Sequence, residues 1–140
     1  QYTELGIHNN GSFDELNKVG LIQAADYYWN PEAYKPEEAL RKALAIVAGK
    51  DSIDLLLQFR DTYCPLIDKY SFLRTGTSPQ PISEEVFAPL EKQIEEVGKI
   101  IEELNRKCKN TKLVEELSQR YQKLSEAAKS LRDKGLVKKS

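Results

Sequence analysis

The residues of this chain that could carry out hydrolysis are its carboxylates, several of which occur as adjacent pairs. The pairs are Glu95-Glu96, Glu102-Glu103 and Glu115-Glu116, with Asp14-Glu15 near the start of the chain. Glycoside hydrolysis by two carboxylates needs an acid and a base or nucleophile on separate elements, tuned by burial. Three pairs fall on polar faces of predicted helices, where exposed carboxylates are solvated and pair with lysines. The fourth falls in the first turn of a predicted helix, where negative charge is favoured. The sequence therefore predicts no catalytic carboxylate pair in this chain.

Histidine and cysteine are too few to build a nucleophilic or metal site. His8 is the only histidine, which excludes a histidine-based triad or a site with several histidines within the chain, and we expect it on a surface turn. Cys64 and Cys108 lack the spacing of a metal motif, and we expect two packed thiols rather than a single bridge. We predict no metal site and no cofactor.

Four aromatic residues lie close together in the first quarter of the chain: Tyr27, Tyr28, Trp29 and Tyr34. Their rings could stack on the face of a sugar, because an aromatic ring offers a flat apolar surface. Such a cluster more often belongs to a core or an interface, which is the interpretation we favour.

Composition limits the classes of partner. The chain has 140 residues, 40% of them hydrophobic and 31% charged, with a net charge of -1, so it has no basic surface for nucleic acid or an anionic membrane. No apolar run approaches the roughly 20 residues that cross a bilayer, and residues 1 to 30 lack the pattern of a signal peptide.

A start at Gln1, with no Met anywhere, leads us to expect that the chain is cut from a longer product.

Apolar spacing predicts five helices after a short tail, residues 1 to 12. The first runs from Phe13 to Trp29, with Ser12 and Glu15 as a capping box, and Asn30-Pro31 stops it. Pro36 opens the second and Gly49 ends it. The third begins after a cap at Asp51 or Ser52 and reaches Tyr70, and we expect Pro65 to kink it. A loop follows over Arg74 to Pro81.

The last two predicted helices carry apolar residues at alternating spacings of three and four. Ser83 caps the fourth, whose series is Val86, Leu90, Ile94, Val97, Ile101 and Leu104; the fifth has Val114, Leu117, Tyr121, Leu124, Ala128 and Leu131. The short connection at Lys109-Asn110 makes these helices antiparallel neighbours. We predict an all-α fold, a bundle of about five helices. Its C-terminal part, residues 51 to 136, is an antiparallel three-helix bundle within a helical domain of residues 51–140. Residues 1–48, a tail plus two helices, precede it and need another surface to pack against.

One stretch, residues 17 to 36, carries more specific choices of residue than an amphipathic helix needs. It reads NKVGLIQAADYYWNPEAYKP, with the central run Ala25-Asp26-Tyr27-Tyr28-Trp29-Asn30-Pro31. This run resembles the "Ala-Asp-Tyr-x-Trp-Asn" motif at the C-terminal edge of the catalytic barrel in glycoside hydrolase family 84. The family's "Asn-Pro-Met" turn and "Ala-Glu-x-Ser-Lys" helix start correspond to Asn9-Asn10-Gly11 and Asp14-Glu15-Leu16-Asn17-Lys18. The resemblance covers roughly residues 9 to 48.

The resemblance implies a function for a longer parent protein. Family members include bacterial β-N-acetylglucosaminidases, O-GlcNAc hydrolases and hyaluronidase-like toxins, and the Asn of the turn binds N-acetylglucosamine. That Asn falls at Asn9, with Asn10 as the alternative because the family's Pro and Met are replaced by Asn10 and Gly11. The catalytic Asp pair would lie upstream. The chain would then be the last barrel helix with its supporting helical domain, inactive alone. Its partners would be the upstream barrel and, through the parent, the glycan, in a secreted or periplasmic protein.

Two alternatives come from the helices themselves. A helical interaction module would bind a partner helix through the apolar seams of the fourth and fifth helices, since recognition of a helix in a groove needs only such a stripe. A stand-alone enzyme is disfavoured by the lack of an acid, base or nucleophile constellation. The glycosidase hypothesis also predicts that the first two helices expose an apolar surface.

Overall fold

The computed structural model describes residues 14–139 of the chain, apart from the side chain of Asp14. Six α-helices account for most of it. They are α1 (Asp14–Trp29), α2 (Pro36–Ala48), α3 (Ile53–Lys69), α4 (Phe72–Thr75), α5 (Glu84–Lys107) and α6 (Thr111–Asp133). Short 3₁₀ helices lie at Pro31–Ala33 and Lys50–Ser52. The all-α prediction is confirmed.

Helix α5 is the centre of the C-terminal part. It packs against both α3 and α6, and α6 runs antiparallel to it, so that Arg132 near the end of α6 reaches Glu84 and Glu91 near the start of α5. Helix α1 packs against α2 and α6, and α2 packs against α3. One core cluster joins the parts: it contains Leu16, Val19, Leu40 and Leu44 of the first two helices together with the apolar residues of α3, α5 and α6.

The apolar seams of α5 and α6 are mutually buried along most of their length. The buried members include Leu90, Ile94, Val97, Ile101, Leu104, Val114, Leu117, Leu124, Ala128 and Leu131. The prediction is wrong at Val86, which is 45% exposed, whereas Phe87 beside it is fully buried. The ring of Phe72, from the segment after α3, lies beside that of Phe87, with the two ring centroids 6.4 Å apart.

Several helix ends follow the predicted capping chemistry. The Ser83 hydroxyl accepts a hydrogen bond from the backbone N–H of Glu85 at 3.2 Å, and Pro36 occupies the first turn of α2. Gly49 ends α2 with a positive φ of 90°, which a residue with a side chain rarely adopts. Helix α3 begins at Ile53 and runs through Pro65 to Lys69.

The segment after α3 holds more regular structure than predicted. Helix α4 overlaps the predicted loop at Arg74 and Thr75, and Gly76 ends it in the left-handed conformation. The strands β1 (Ile82–Ser83) and β2 (Val137–Lys138) pair in parallel, with Ile82 opposite Val137. This pairing is not encoded by local periodicity, because each strand has two residues and gains its partner only through tertiary packing. It fixes the chain after α6 beside the start of α5.

Candidate functional site

Helices α1 and α2 expose large apolar side chains on their outer side. Leu21 is 63% exposed, Tyr28 79%, Trp29 90% and Ile46 62%. We call these four residues the α1–α2 surface. Within α1, Leu16 and Val19 are buried, while Leu21 faces outwards. Exposed apolar patches on a folded chain often mark interaction surfaces.

A groove lies between the two helices at the start of α1. Its volume is about 290 Å³, and it is lined by Glu15, Lys18, Leu21, Ile22, Ile46 and Val47. The helices run antiparallel here, since Lys42 of α2 reaches Asp26 of α1 at 3.5 Å and the end of α2 lies near the start of α1. We call this feature the α1–α2 groove. Its floor and sides are mainly apolar, with one ion pair, Glu15–Lys18, at its end.

The aromatic cluster lies at the far end of α1. The ring of Tyr27 contacts those of Tyr28 and Tyr34 edge to face, with centroids 5.7 and 5.3 Å apart. Trp29 follows at the last position of α1. The cluster is not part of the core, because Tyr27, Tyr28 and Trp29 are all exposed. From the sequence we favoured a position in a core or in an interface. The exposure of these rings excludes the core and leaves the interface as a prediction.

A polar junction joins the start of α1 to α6. The Glu116 carboxylate accepts hydrogen bonds from the backbone N–H groups of Glu15, at 3.0 Å, and Leu16, at 3.2 Å. The first N–H groups of a helix have no partner within the helix, so Glu116 caps α1 from another element. The sequence placed Glu116 on a solvated face, and this is wrong: the residue is 5% exposed. Residue spacing within α6 cannot reveal a partner about a hundred positions away.

Asn110 extends this junction to α2. Its side-chain oxygen accepts from the N–H of Leu113 and caps α6, while its amide nitrogen donates to the Glu15 carboxylate and to the backbone oxygen of Val47, each at 2.9 Å. One side chain thereby links the start of α6, the start of α1 and the end of α2. Unpartnered backbone groups at two helix ends are satisfied by it.

The two carboxyl groups of the junction have oppositely shifted pKa values. Hydrogen bonds from Lys18 and Asn110 lower the pKa of Glu15. Burial raises the pKa of Glu116, and the two backbone hydrogen bonds only partly offset that effect. The Glu116 carboxylate bonds to the backbone N–H of Glu15, and the two carboxylates have separate sets of hydrogen-bond partners. The arrangement holds helices together and includes no candidate nucleophile.

Most of the other predicted carboxylates are solvated as expected. Glu95, Glu96, Glu102 and Glu115 are exposed, and Glu103 pairs with Arg106 and Lys107. One surface network was not predicted: the Arg132 guanidinium bonds to the carboxylates of Glu84 and Glu91 and lies 5.2 Å from the Phe87 ring centroid. These hydrogen bonds lower the pKa of Glu84.

The remaining candidates from the sequence do not meet in one site. Asn9, Asn10 and His8 lie outside the described residues. Cys64 and Cys108 are both buried and form no disulfide, as we expected. Among residues 14–139, no group of three or more His, Cys, Asp and Glu side chains could hold a metal ion. Over the same range, no helix has the length and apolarity to cross a membrane.

Comparison with known proteins gives no relative. No protein-family model matches the chain, and neither does any curated protein or solved structure.

Proposed function

We propose that this chain is the C-terminal helical segment of a glycoside hydrolase resembling family 84, which acts on N-acetylglucosamine glycosides. In this proposal the segment supports the catalytic barrel and is inactive by itself. The parent is a β-N-acetylglucosaminidase whose catalytic carboxylates belong to the upstream barrel. Asn9, or Asn10 in its place, contributes a hydrogen bond to the bound sugar.

The observation that supports the proposal is the α1–α2 surface. A helix pair at the edge of a larger domain needs one face for its own bundle and another for that domain. Helix α1 has this character, with Leu16 and Val19 buried on one side and Leu21, Tyr28 and Trp29 exposed. The run that carries the family resemblance, residues 25 to 31, lies at the C-terminal end of α1 and includes Tyr28 and Trp29 of this surface.

The alternative is a helical protein-interaction module. Its original form, in which the seams of α5 and α6 bind a partner, is disfavoured because those seams bury each other. Such a module would instead bind through the exposed aromatic end of α1. This version needs no sugar-binding residue, which separates it experimentally from the glycosidase.

The test is hydrolysis of an aryl N-acetylglucosaminide by the upstream-extended gene product. We expect activity in the extended protein and none in the chain of residues 1–140. Asn9→Ala or Asn10→Ala should lower kcat/KM by about tenfold or more, since a hydrogen bond to the substrate is lost. Asn105→Ala is the matched control, because Asn105 lies on the exposed face of α5 and should be neutral. Inactivity of the unaltered extended protein would refute the glycosidase and favour the interaction module.

A further inference from the structure

The polar junction formed by Glu15, Asn110 and Glu116 holds the first turn of α1 by its backbone and by a side chain. The Glu116 carboxylate accepts hydrogen bonds from the backbone N–H groups of Glu15 and Leu16. The Asn110 amide donates to the Glu15 carboxylate, which also pairs with Lys18 at 2.6 Å. Glu15 and Glu116 are only 7% and 5% exposed, so these bonds form away from most of the water that would weaken them. The start of α1 is therefore fixed from α6 and from the turn before it.

Glu15 and its partner Lys18 are also the two residues that match the family's helix start. In the run Asp14-Glu15-Leu16-Asn17-Lys18, they are the positions shared with "Ala-Glu-x-Ser-Lys". Their side chains pair with each other, and Glu15 is bonded to Asn110 as well. The matched residues therefore attach the start of α1 to the C-terminal bundle.

The proposed sugar-binding residue comes shortly before this point in the chain. Five residues separate Asn9 from Glu15, and four separate Asn10 from it. Since a chain advances at most about 3.6 Å per residue, either asparagine lies within roughly 22 Å of Glu15. A misplacement of about 1 Å caused by a distant substitution can lower a reaction rate about a hundredfold. A residue that fixes the start of α1 can therefore affect the bound sugar without contacting it.

We propose that Glu116 is a positioning residue for the sugar-binding asparagine, Asn9 or Asn10, of the extended protein. It holds the start of α1 against α6, and the segment before α1 is thereby anchored at its C-terminal end. This inference deepens the proposed function and rests on it, because it needs a sugar bound by that asparagine. Glu116 acts only through the position of α1 and does not contact the substrate.

The experiment is a double-mutant cycle on hydrolysis of an aryl N-acetylglucosaminide by the upstream-extended protein. We expect Glu116→Ala to lower kcat/KM by about tenfold, and Glu116→Gln, which keeps an acceptor oxygen, to recover most of that loss. The cycle repeats Glu116→Ala in the background of Asn9→Ala or Asn10→Ala, whichever lowers kcat/KM. There it should have almost no further effect, because the group that it positions is gone. A purely structural defect would lower activity by the same factor in both backgrounds.

Two controls separate positioning from loss of stability. Glu115→Ala removes the neighbouring carboxylate, which is exposed, and should leave kcat/KM unchanged. Ile94→Val removes one buried methyl group from the middle of α5, away from the junction, and should lower the thermal midpoint without lowering kcat/KM. Circular dichroism at the assay temperature confirms that each variant is folded. Asn110→Ala, which removes the bond to the Glu15 carboxylate, replaces Glu116→Ala if the latter unfolds the protein.

The outcomes distinguish this inference from the proposed function. The positioning role is refuted, and the glycosidase stands, if the extended protein is active and depends on Asn9 or Asn10 but Glu116→Ala has no effect. An equal effect of Glu116→Ala in both backgrounds leads to the same conclusion. If the unaltered extended protein is inactive, the proposed function is refuted and the positioning role is refuted with it.

Discussion

Glu116 in α6 accepts a hydrogen bond from the backbone N–H of Glu15 at 3.0 Å, across 101 positions of sequence. A second bond, from the N–H of Leu16, makes this carboxylate the cap of α1. Helix caps normally come from the residue just before the helix. Here the cap also fixes where α1 begins relative to α6, so the orientation of the exposed face of α1 depends on a residue of the C-terminal bundle.

Removal of the Glu116 carboxylate should destabilise the chain. Glu116→Ala leaves two N–H groups at the start of α1 without their acceptor in a buried place, and an unsatisfied buried group costs about 1–3 kcal/mol. Urea denaturation followed by circular dichroism measures the free energy of unfolding. Glu115→Ala is the matched control, since Glu115 is exposed and its loss should change that free energy by less than about 0.5 kcal/mol. Equal effects of the two substitutions would refute the cap.

The opposite pKa shifts of Glu15 and Glu116 predict opposite dependences of stability on pH. The pKa of Glu15 is lowered in the folded state, so its contribution to stability is present above its ordinary pKa of 4.5 and is lost as pH falls through the folded value. The pKa of Glu116 is raised because burial disfavours its charge. The folded state therefore retains a proton that the unfolded chain releases, and this group's contribution falls as pH rises from 4.5 through the raised value.

Glutamine substitutions isolate the two contributions. Between pH 3 and pH 7, we expect the difference in unfolding free energy between the unaltered chain and Glu15→Gln to grow as pH rises. For Glu116→Gln the same difference should shrink. Urea denaturation at each pH measures both, and two differences that change in the same direction would contradict the assignment.

The sequence predicted local features of this fold well, because those features depend on neighbours in the chain. Pro36 and Gly49 bound α2, and Ser83 caps α5, each through chemistry contained in a few adjacent residues. The errors involve tertiary partners. Glu116 lies next to Glu115 in the sequence, and its partners, the N–H groups of α1, are about a hundred positions away. Val86 and Phe87 are both apolar, and the sequence does not show that Phe87 is the one that packs beside Phe72. Periodicity also cannot reveal which apolar face of α1 the rest of the chain covers.

A close approach between α5 and α6 explains why Gly98 lies inside a helix. A Cβ atom at this position would lie 2.8 Å from the hydroxyl oxygen of Tyr121 and 2.9 Å from the ring carbon that bears it. Alanine is favoured over glycine in a helix by about 1 kcal/mol. In the unaltered chain, Gly98→Ala should therefore gain less than this value, because the Tyr121 ring must move aside.

A double-mutant cycle measures this conflict. In a Tyr121→Ala background the obstacle is gone, and Gly98→Ala should stabilise the helix by about 1 kcal/mol. The thermal midpoint and urea denaturation provide the measurements. If Gly98→Ala has the same effect in both backgrounds, the Tyr121 ring imposes no constraint on Gly98.

The two cysteines should be unreactive until the chain unfolds. Burial raises the pKa of the Cys64 thiol to about 12, so the thiolate that reacts with disulfide reagents is scarce at pH 8. Cys108 is buried as well, between the end of α2 and the α5–α6 turn, where its Sγ lies 4.0 Å from the backbone oxygen of Ala48. In the folded chain we expect labelling of both thiols to proceed only through opening of the structure. In urea above the unfolding transition, both should react within the mixing time. Single variants Cys64→Ala and Cys108→Ala separate the two rates, and rapid labelling of either thiol in the absence of urea would contradict its burial.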